Sequence, residues 1–185
     1  MNLKSAVLFL SVLIVQIPAV AFKPEIGEVP APLDKLEYVD GSAIDLRALI
    51  GKPVVLYFGA DWCPPCVERG RPTLLTVANK YGPLGLQVVY VNRDDNRYRS
   101  EKVEEAAKLG VRIAMSRMSL CPPGQCPRGW RDLGPFGIVY QIPSAIVLDS
   151  NGVVRAKLER GMGVQAGLDS AVREVMKSAG LLVER

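Results

Sequence analysis

The sequence predicts a one-domain α/β fold with a central mixed sheet flanked by helices. Three observations carry that reading. The chain has 185 residues, 49% of them hydrophobic, enough to bury a core without covalent staples. Continuous apolar runs such as Val54-Val55-Leu56-Tyr57-Phe58 mark strands buried on both faces. Segments with apolar residues at helical spacing alternate with those runs, in the order β-α-β-α-β-β-α.

The elements follow in chain order. Met-Asn-Leu-Lys, an apolar run from Ala6 to Val15, Pro18 and Ala19-Val20-Ala21 read as a signal peptide over residues 1–21. Cleavage after Ala21 leaves 185 − 21 = 164 residues, 22–185, as one domain. The alternative is an uncleaved anchor, but the run is short beside the ~20 apolar residues of a spanning helix. No later stretch is long enough, so no membrane span is expected after cleavage. The expected location is periplasmic or otherwise exported, where disulfides persist.

Leu36–Val39 and Ala43–Leu46, joined at Asp40-Gly41, read as a hairpin. The buried strand from Pro53 to Gly59 leads into Ala60-Asp61-Trp62-Cys63-Pro64-Pro65-Cys66. A helix with Val67, Leu74, Leu75 and Ala78 on one face closes at Tyr81-Gly82. Gly85–Val91 is a second strand. Ser100 is expected to cap a helix holding Val103, Ala106 and Ala107, stopped by Gly110. Residues 114–135, which contain Cys121, Cys126 and Trp130, fit no regular element and read as an insertion. Ile142–Asp149 and Val153–Leu158 are strands around the Ser150-Asn151-Gly152 turn. Leu168, Ala171, Val172, Val175, Met176 and Ala179 mark a last helix ended by Gly180.

Composition narrows the chemistry. The chain has no histidine, which excludes Ser-His-Asp and Cys-His nucleophiles, His-Glu-x-x-His zinc sites and His-ligated haem or copper. A net charge of +4, falling to +3 when Lys4 leaves with the signal peptide, is too mild to argue for nucleic acid. Cys63, Cys66, Cys121 and Cys126 are the remaining reactive candidates. A strand delivers Cys63 to the start of a helix, where unpaired backbone N–H groups and the dipole favour a thiolate. Cys-x-x-Cys motifs at helix N-termini lower the thiol pKa from ~8.5 into the range ~3.5–7.5. Cys63 is therefore the expected nucleophile and Cys66 the resolving thiol of a redox-active disulfide. Pro64 and Pro65 suit the first helical positions, where a missing N–H costs little.

Val54 to Cys66 resembles the active-site strand and turn of the thioredoxin superfamily. Trp62-Cys63-Pro64-Pro65-Cys66 is similar to the TlpA/ResA-like exported oxidoreductases, and to tryparedoxin and nucleoredoxin. Ile142-Pro143-Ser144 resembles that family's cis-proline loop. The resemblance covers roughly Leu33 to Gly180 and implies a thioredoxin-like fold with an N-terminal hairpin and an insertion before the cis-proline strand. It implies that Pro143 is cis and faces Cys63, that Ile142 offers its backbone to a substrate strand, and that Trp62, Pro64 and Pro65 contribute to substrate binding. It also implies protein thiol or disulfide substrates, a membrane electron donor, no cofactor, and a reductive role such as supplying apocytochrome c in cytochrome c maturation.

Two departures stand out. Tyr57 occupies the place of the family's buried acid, so a proton acceptor for Cys66 must be water or another group. The helix proline, Pro72, lies six residues after the second cysteine instead of five, and Gly70 is expected to absorb the extra residue as a kink.

Alternative readings stay open. The alternative role for the pair is that of an oxidant or isomerase. Cys121-Cys126 is either a structural loop disulfide or a second redox pair. No resident metal site is expected, since zinc leaves the Trp-Cys-Pro-Pro-Cys context unexplained. A Cu(I)-binding module would have only thiolates and Met115, Met118 or Met162 to use.

Overall fold

The elements run β1 (Leu36–Tyr38), β2 (Val54–Gly59), α1 (Arg71–Tyr81), β3 (Gln87–Asn92), α2 (Arg99–Leu109), β4 (Arg112–Ser116), β5 (Ser144–Leu148), β6 (Val154–Leu158) and α3 (Arg160–Ser178). They belong to a computed structural model that describes residues 22–94, 98–116, 133–136, 139 and 141–182. The strands form one mixed sheet in the order β1-β4-β3-β2-β5-β6. β2, β3 and β4 are parallel, while β1, β5 and β6 run antiparallel to their neighbours.

Every residue of β2 is buried, as its uninterrupted apolar run requires of a central strand. Its side chains alternate between two cores. Val55 and Tyr57 join Leu74, Val77 and Tyr81 of α1 and Leu168, Val172 and Met176 of α3. Leu56 and Phe58 join Leu33, Leu36, Ile44, Phe136, Ile146 and Leu148 on the opposite side. This is the expected α/β architecture, with β2 ending between its two neighbours where the cysteine motif begins.

Several local expectations are corrected. Arg112–Ser116 is a strand, so residues 114–116 belong to the sheet and not to an insertion. Ala114, Met115 and Ser116 have little intrinsic strand preference; burial between β3 and β1 decides their conformation. At the other end of that expected insertion, Leu133 is fully buried in the second core. The expected hairpin survives only as a single bridge between Glu37 and Ala43. β1 instead pairs with β4, setting Leu36 opposite Ser116 and Tyr38 opposite Ala114.

Ser100 lies inside α2 and does not cap it, and Val103 faces solvent. The inward positions are Lys102, Ala106 and Leu109. Gly110 ends the helix with φ +65°, a left-handed conformation that glycine adopts without penalty. Among the described residues, no helix is long and apolar enough to cross a membrane. The expected signal peptide at 1–21 lies outside the described residues.

Candidate active site

β2 stops at Gly59, and the chain turns through Asp61 and Trp62 before a helix opens at Pro64. Pro64 and Pro65 fill its first positions, as their missing N–H groups permit. Cys63 and Cys66 are joined as a disulfide across one helical turn, with their Cα atoms 5.3 Å apart. The Cys66 N–H donates to the Cys63 sulfur at 3.3 Å. A helix-opening amide directed at this sulfur favours negative charge there when the pair is reduced. Cys63 is 6% exposed and Cys66 only 1%, so Cys63 is the member nearer the surface.

The distant half of the motif closes over the same sulfur. The Ile142–Pro143 peptide bond is cis, and the Cys63 sulfur lies 3.8 Å from the Ile142 carbonyl oxygen. The Ile142 side chain packs against Ala60, Cys63 and Cys66. Gly161, in the first turn of α3, brings its backbone close to Pro143 and Pro65; a Cβ there would lie 3.4 Å from the Pro143 Cδ. Trp62 remains 41% exposed beside the pair, and Pro64 and Pro65 are also exposed. The fold thus brings Trp62, Cys63, Pro64, Pro65, Cys66, Ile142 and Pro143 into one locus. Cys121 and Cys126 lie outside the described residues, as do Met118 and Trp130.

The extra residue before Pro72 is absorbed as a π-helical turn over Cys66–Gly70, after which α1 proceeds regularly. The Arg71 N–H donates to the Cys66 carbonyl, five residues back. That carbonyl also accepts a hydrogen bond from the Tyr57 hydroxyl at 3.2 Å. Gly70 makes the approach feasible, since a Cβ there would overlap the Tyr57 hydroxyl and lie 3.0 Å from the Pro143 Cβ. Burial holds the Tyr57 phenol well above its ordinary pKa, with a further push from Tyr90 that outweighs Arg71. Tyr57 is therefore a neutral donor where the family's pattern puts an acid.

Sequence reasoning missed a cluster of charges on the adjoining side. Lys102 of α2 is buried, and its ammonium contacts Asp61, Asp94 at 3.2 Å and Glu105 at 2.8 Å. Arg71 of α1 reaches Asp61 at 2.5 Å and Glu105 at 2.8 Å, and its guanidinium carbon lies over the Tyr90 ring, 5.5 Å from the centroid. The Asp61 backbone N–H donates to the Asp94 carboxylate at 3.2 Å. Burial pushes the Asp61 carboxyl up, but Lys102 and Arg71 outweigh it and hold the carboxyl below its usual value. Burial likewise opposes charge on Lys102, and the carboxylates reverse this to raise its pKa. Spacing offered a signal, because Lys102, Ala106 and Leu109 lie on one helical stripe.

Among the described residues, no group of three or more histidine, cysteine or acidic side chains is arranged to hold a metal ion. Met115, one of the expected soft ligands for Cu(I), is fully buried in the core on β4.

A family profile described as Redoxin matches residues 18–166. The chain belongs to the Redoxin family. This Redoxin chain is 29% identical over 119 residues to the thiol-disulfide oxidoreductase ResA of Halalkalibacterium halodurans, covering 64% of this chain and 60% of that protein. It is 26% identical over 132 residues to ResA of Bacillus anthracis, covering 71% and 68%. It is 34% identical over 129 residues to the thiol:disulfide interchange protein DsbE of Tatumella citrea, covering 68% and 61%.

Two solved structures share the Redoxin chain's fold. The thioredoxin domain of a Bacteroides vulgatus thiol-disulfide oxidoreductase superposes with a TM-score of 0.60 at 19% identity, covering 83% of this chain and 99% of that one. A thiol:disulfide interchange protein from Bacteroides sp. gives 0.57 at 20% identity, covering 84% and 91%. Together these matches make this Redoxin protein a TlpA/ResA-like member of the thioredoxin superfamily.

Proposed function

We propose that this chain is an exported thiol–disulfide oxidoreductase that reduces disulfides in proteins. The observation that carries the reading is the Cys66 N–H directed at the Cys63 sulfur, at a site where Cys63 is the more exposed cysteine and the Ile142 carbonyl lies beside it. The thiol–disulfide oxidoreductase and interchange-protein names of the ResA and DsbE relatives support the same chemistry. The leader pattern at 1–21 supports export.

In the reduced protein, the Cys63 thiolate attacks one sulfur of a substrate disulfide. A Cys63–substrate disulfide forms, and the other substrate sulfur leaves as a thiolate and takes a proton. The Cys66 thiol then loses its proton to water and attacks the Cys63 sulfur. The Cys63–Cys66 disulfide forms, and the second substrate thiol is released. Two electrons pass to the substrate, and a dithiol donor at the membrane restores the pair by the reverse exchange. Trp62, Pro64 and Pro65 form the docking face, and the Ile142 backbone ahead of Pro143 pairs with the extended substrate. Apocytochrome c is one substrate consistent with this reading.

Cys66→Ser tests the mechanism by removing the resolving sulfur. Mixed disulfides should accumulate through Cys63 in the exported fraction, and their absence from every exported protein would end the substrate-reduction reading. A reduction potential near ~ −270 mV supports a reductant, whereas one near ~ −120 mV would make the protein an oxidant.

A further inference from the structure

The charge cluster beside the cysteine turn is built from four segments: Asp61 before the motif, Arg71 on α1, Asp94 after β3, and Lys102 with Glu105 on α2. The phenol of Tyr90 on β3 also faces Arg71, at 3.5 Å. Asp61 is held twice. Its carboxylate takes Lys102 and Arg71, and its N–H is bound by Asp94. Two residues later comes Cys63, so these two Cα atoms are at most ~7 Å apart.

An ammonium this buried is costly to desolvate unless it is fully paired. A surface lysine would satisfy Asp61 more cheaply, so burial of Lys102 among three carboxylates needs an account. We propose that Lys102 is a positioning residue for the cysteine turn: its ammonium ties Asp61, and with it the Trp62-Cys63 segment, to α2, and offsets the charge of the Asp61, Asp94 and Glu105 carboxylates. This deepens the redox reading above and rests on it.

Charge gives the proposal a signature that packing alone lacks. Removing Lys102's charge takes the ammonium from three carboxylates, of which Asp61 and Glu105 keep Arg71, and so disfavours the Cys63 thiolate. Removing the charge of Asp61 takes away one carboxylate, and favours it. The two changes therefore move Cys63 in opposite directions, whereas simple loosening of the turn would move it the same way in both.

The experiment measures iodoacetamide alkylation of Cys63 against pH in the reduced protein carrying Cys66→Ser, with Lys102→Met, Lys102→Arg and Asp61→Asn added singly. Lys102→Met should raise the apparent Cys63 pKa by about one unit, slowing alkylation about tenfold at a pH below it. Lys102→Arg should restore the rate to within about twofold, and Asp61→Asn should lower the pKa. If Lys102→Met does not fold, the Lys102→Arg and Asp61→Asn profiles decide, because Asp61 is substantially exposed and its amide analogue keeps the shape of the turn. A Lys102→Met profile that is unchanged or shifts downward, a Lys102→Arg rate more than about twofold below the parent, or an Asp61→Asn profile that is unchanged or shifts upward would overturn the proposal. Failure of Cys63 to react in the Cys66→Ser parent would instead overturn the redox reading itself.

Discussion

The Tyr57 hydroxyl donates to the Cys66 backbone carbonyl at 3.2 Å, joining the central strand to the second cysteine from beneath the helix. The same carbonyl also receives the Arg71 N–H, so it does not depend on Tyr57 alone. Tyr57→Phe should therefore destabilise the oxidised protein by only about 1 kcal/mol in denaturant unfolding. Because burial keeps this phenol protonated, neither protein should show a Tyr57 titration near neutral pH. An inflection present in wild type and abolished in the variant would contradict that assignment.

Gly70, at the end of the same turn, also approaches the Tyr57 hydroxyl. Gly70→Ala should cost about 1–3 kcal/mol, since its methyl group meets Tyr57 and the rigid Pro143 in a packed region. Combining it with Tyr57→Phe should cost less than the sum of the single changes, a coupling that equilibrium unfolding of all four proteins can measure. Strict additivity would show that the clash is relieved elsewhere.

Phe136 is fully buried and meets Phe58 edge-on, with ring centroids 5.0 Å apart. Phe136→Ala should lose about 3–5 kcal/mol, as befits a core aromatic. A loss below 1 kcal/mol would place this segment outside the cooperative core.

Asp149 anchors the β5–β6 turn by accepting the Val153 N–H at 3.0 Å, the Asn151 N–H at 2.8 Å and the Arg155 side chain at 2.7 Å. Burial pushes its carboxyl up, but those donors prevail and hold it below the ordinary range. A depressed native pKa means that the stabilisation is complete above the unfolded value of ~3.9 and is lost as pH falls through the lower native value. Asp149→Asn should unfold more easily at pH 7, by about 1–3 kcal/mol. The gap to wild type should narrow in acid below about pH 4, and a gap constant down to pH 2 would exclude the carboxylate as its source.

The parts legible in the sequence were those where local pattern and tertiary demand agree. Val54–Phe58 is apolar at every position because both faces of β2 are covered, and Cys63-Pro64-Pro65-Cys66 carries its helix start in its own residue types. Ile142-Pro143 was legible through resemblance, since spacing alone does not bring residue 143 to residue 63. β4 was hidden because Ala114-Met115-Ser116 adopts a strand only between two partners. Lys102 was hidden for a different reason: a charged residue on an inward stripe contradicts the hydrophobic pattern, and its three carboxylates come from separate segments.

The π-helical turn also separates two demands on one helix. A residue added to an α-helix rotates everything after it by about 100°. That rotation would swing Leu74, Val77 and Tyr81 off the sheet, or else turn Cys66 away from Cys63. Here the wide turn takes up the phase change within Cys66–Gly70, and α1 still presents those three side chains to the core. The redox end and the packing end of the helix can thus change independently. Deleting one residue from 67–69 should regularise the turn and leave the core register intact.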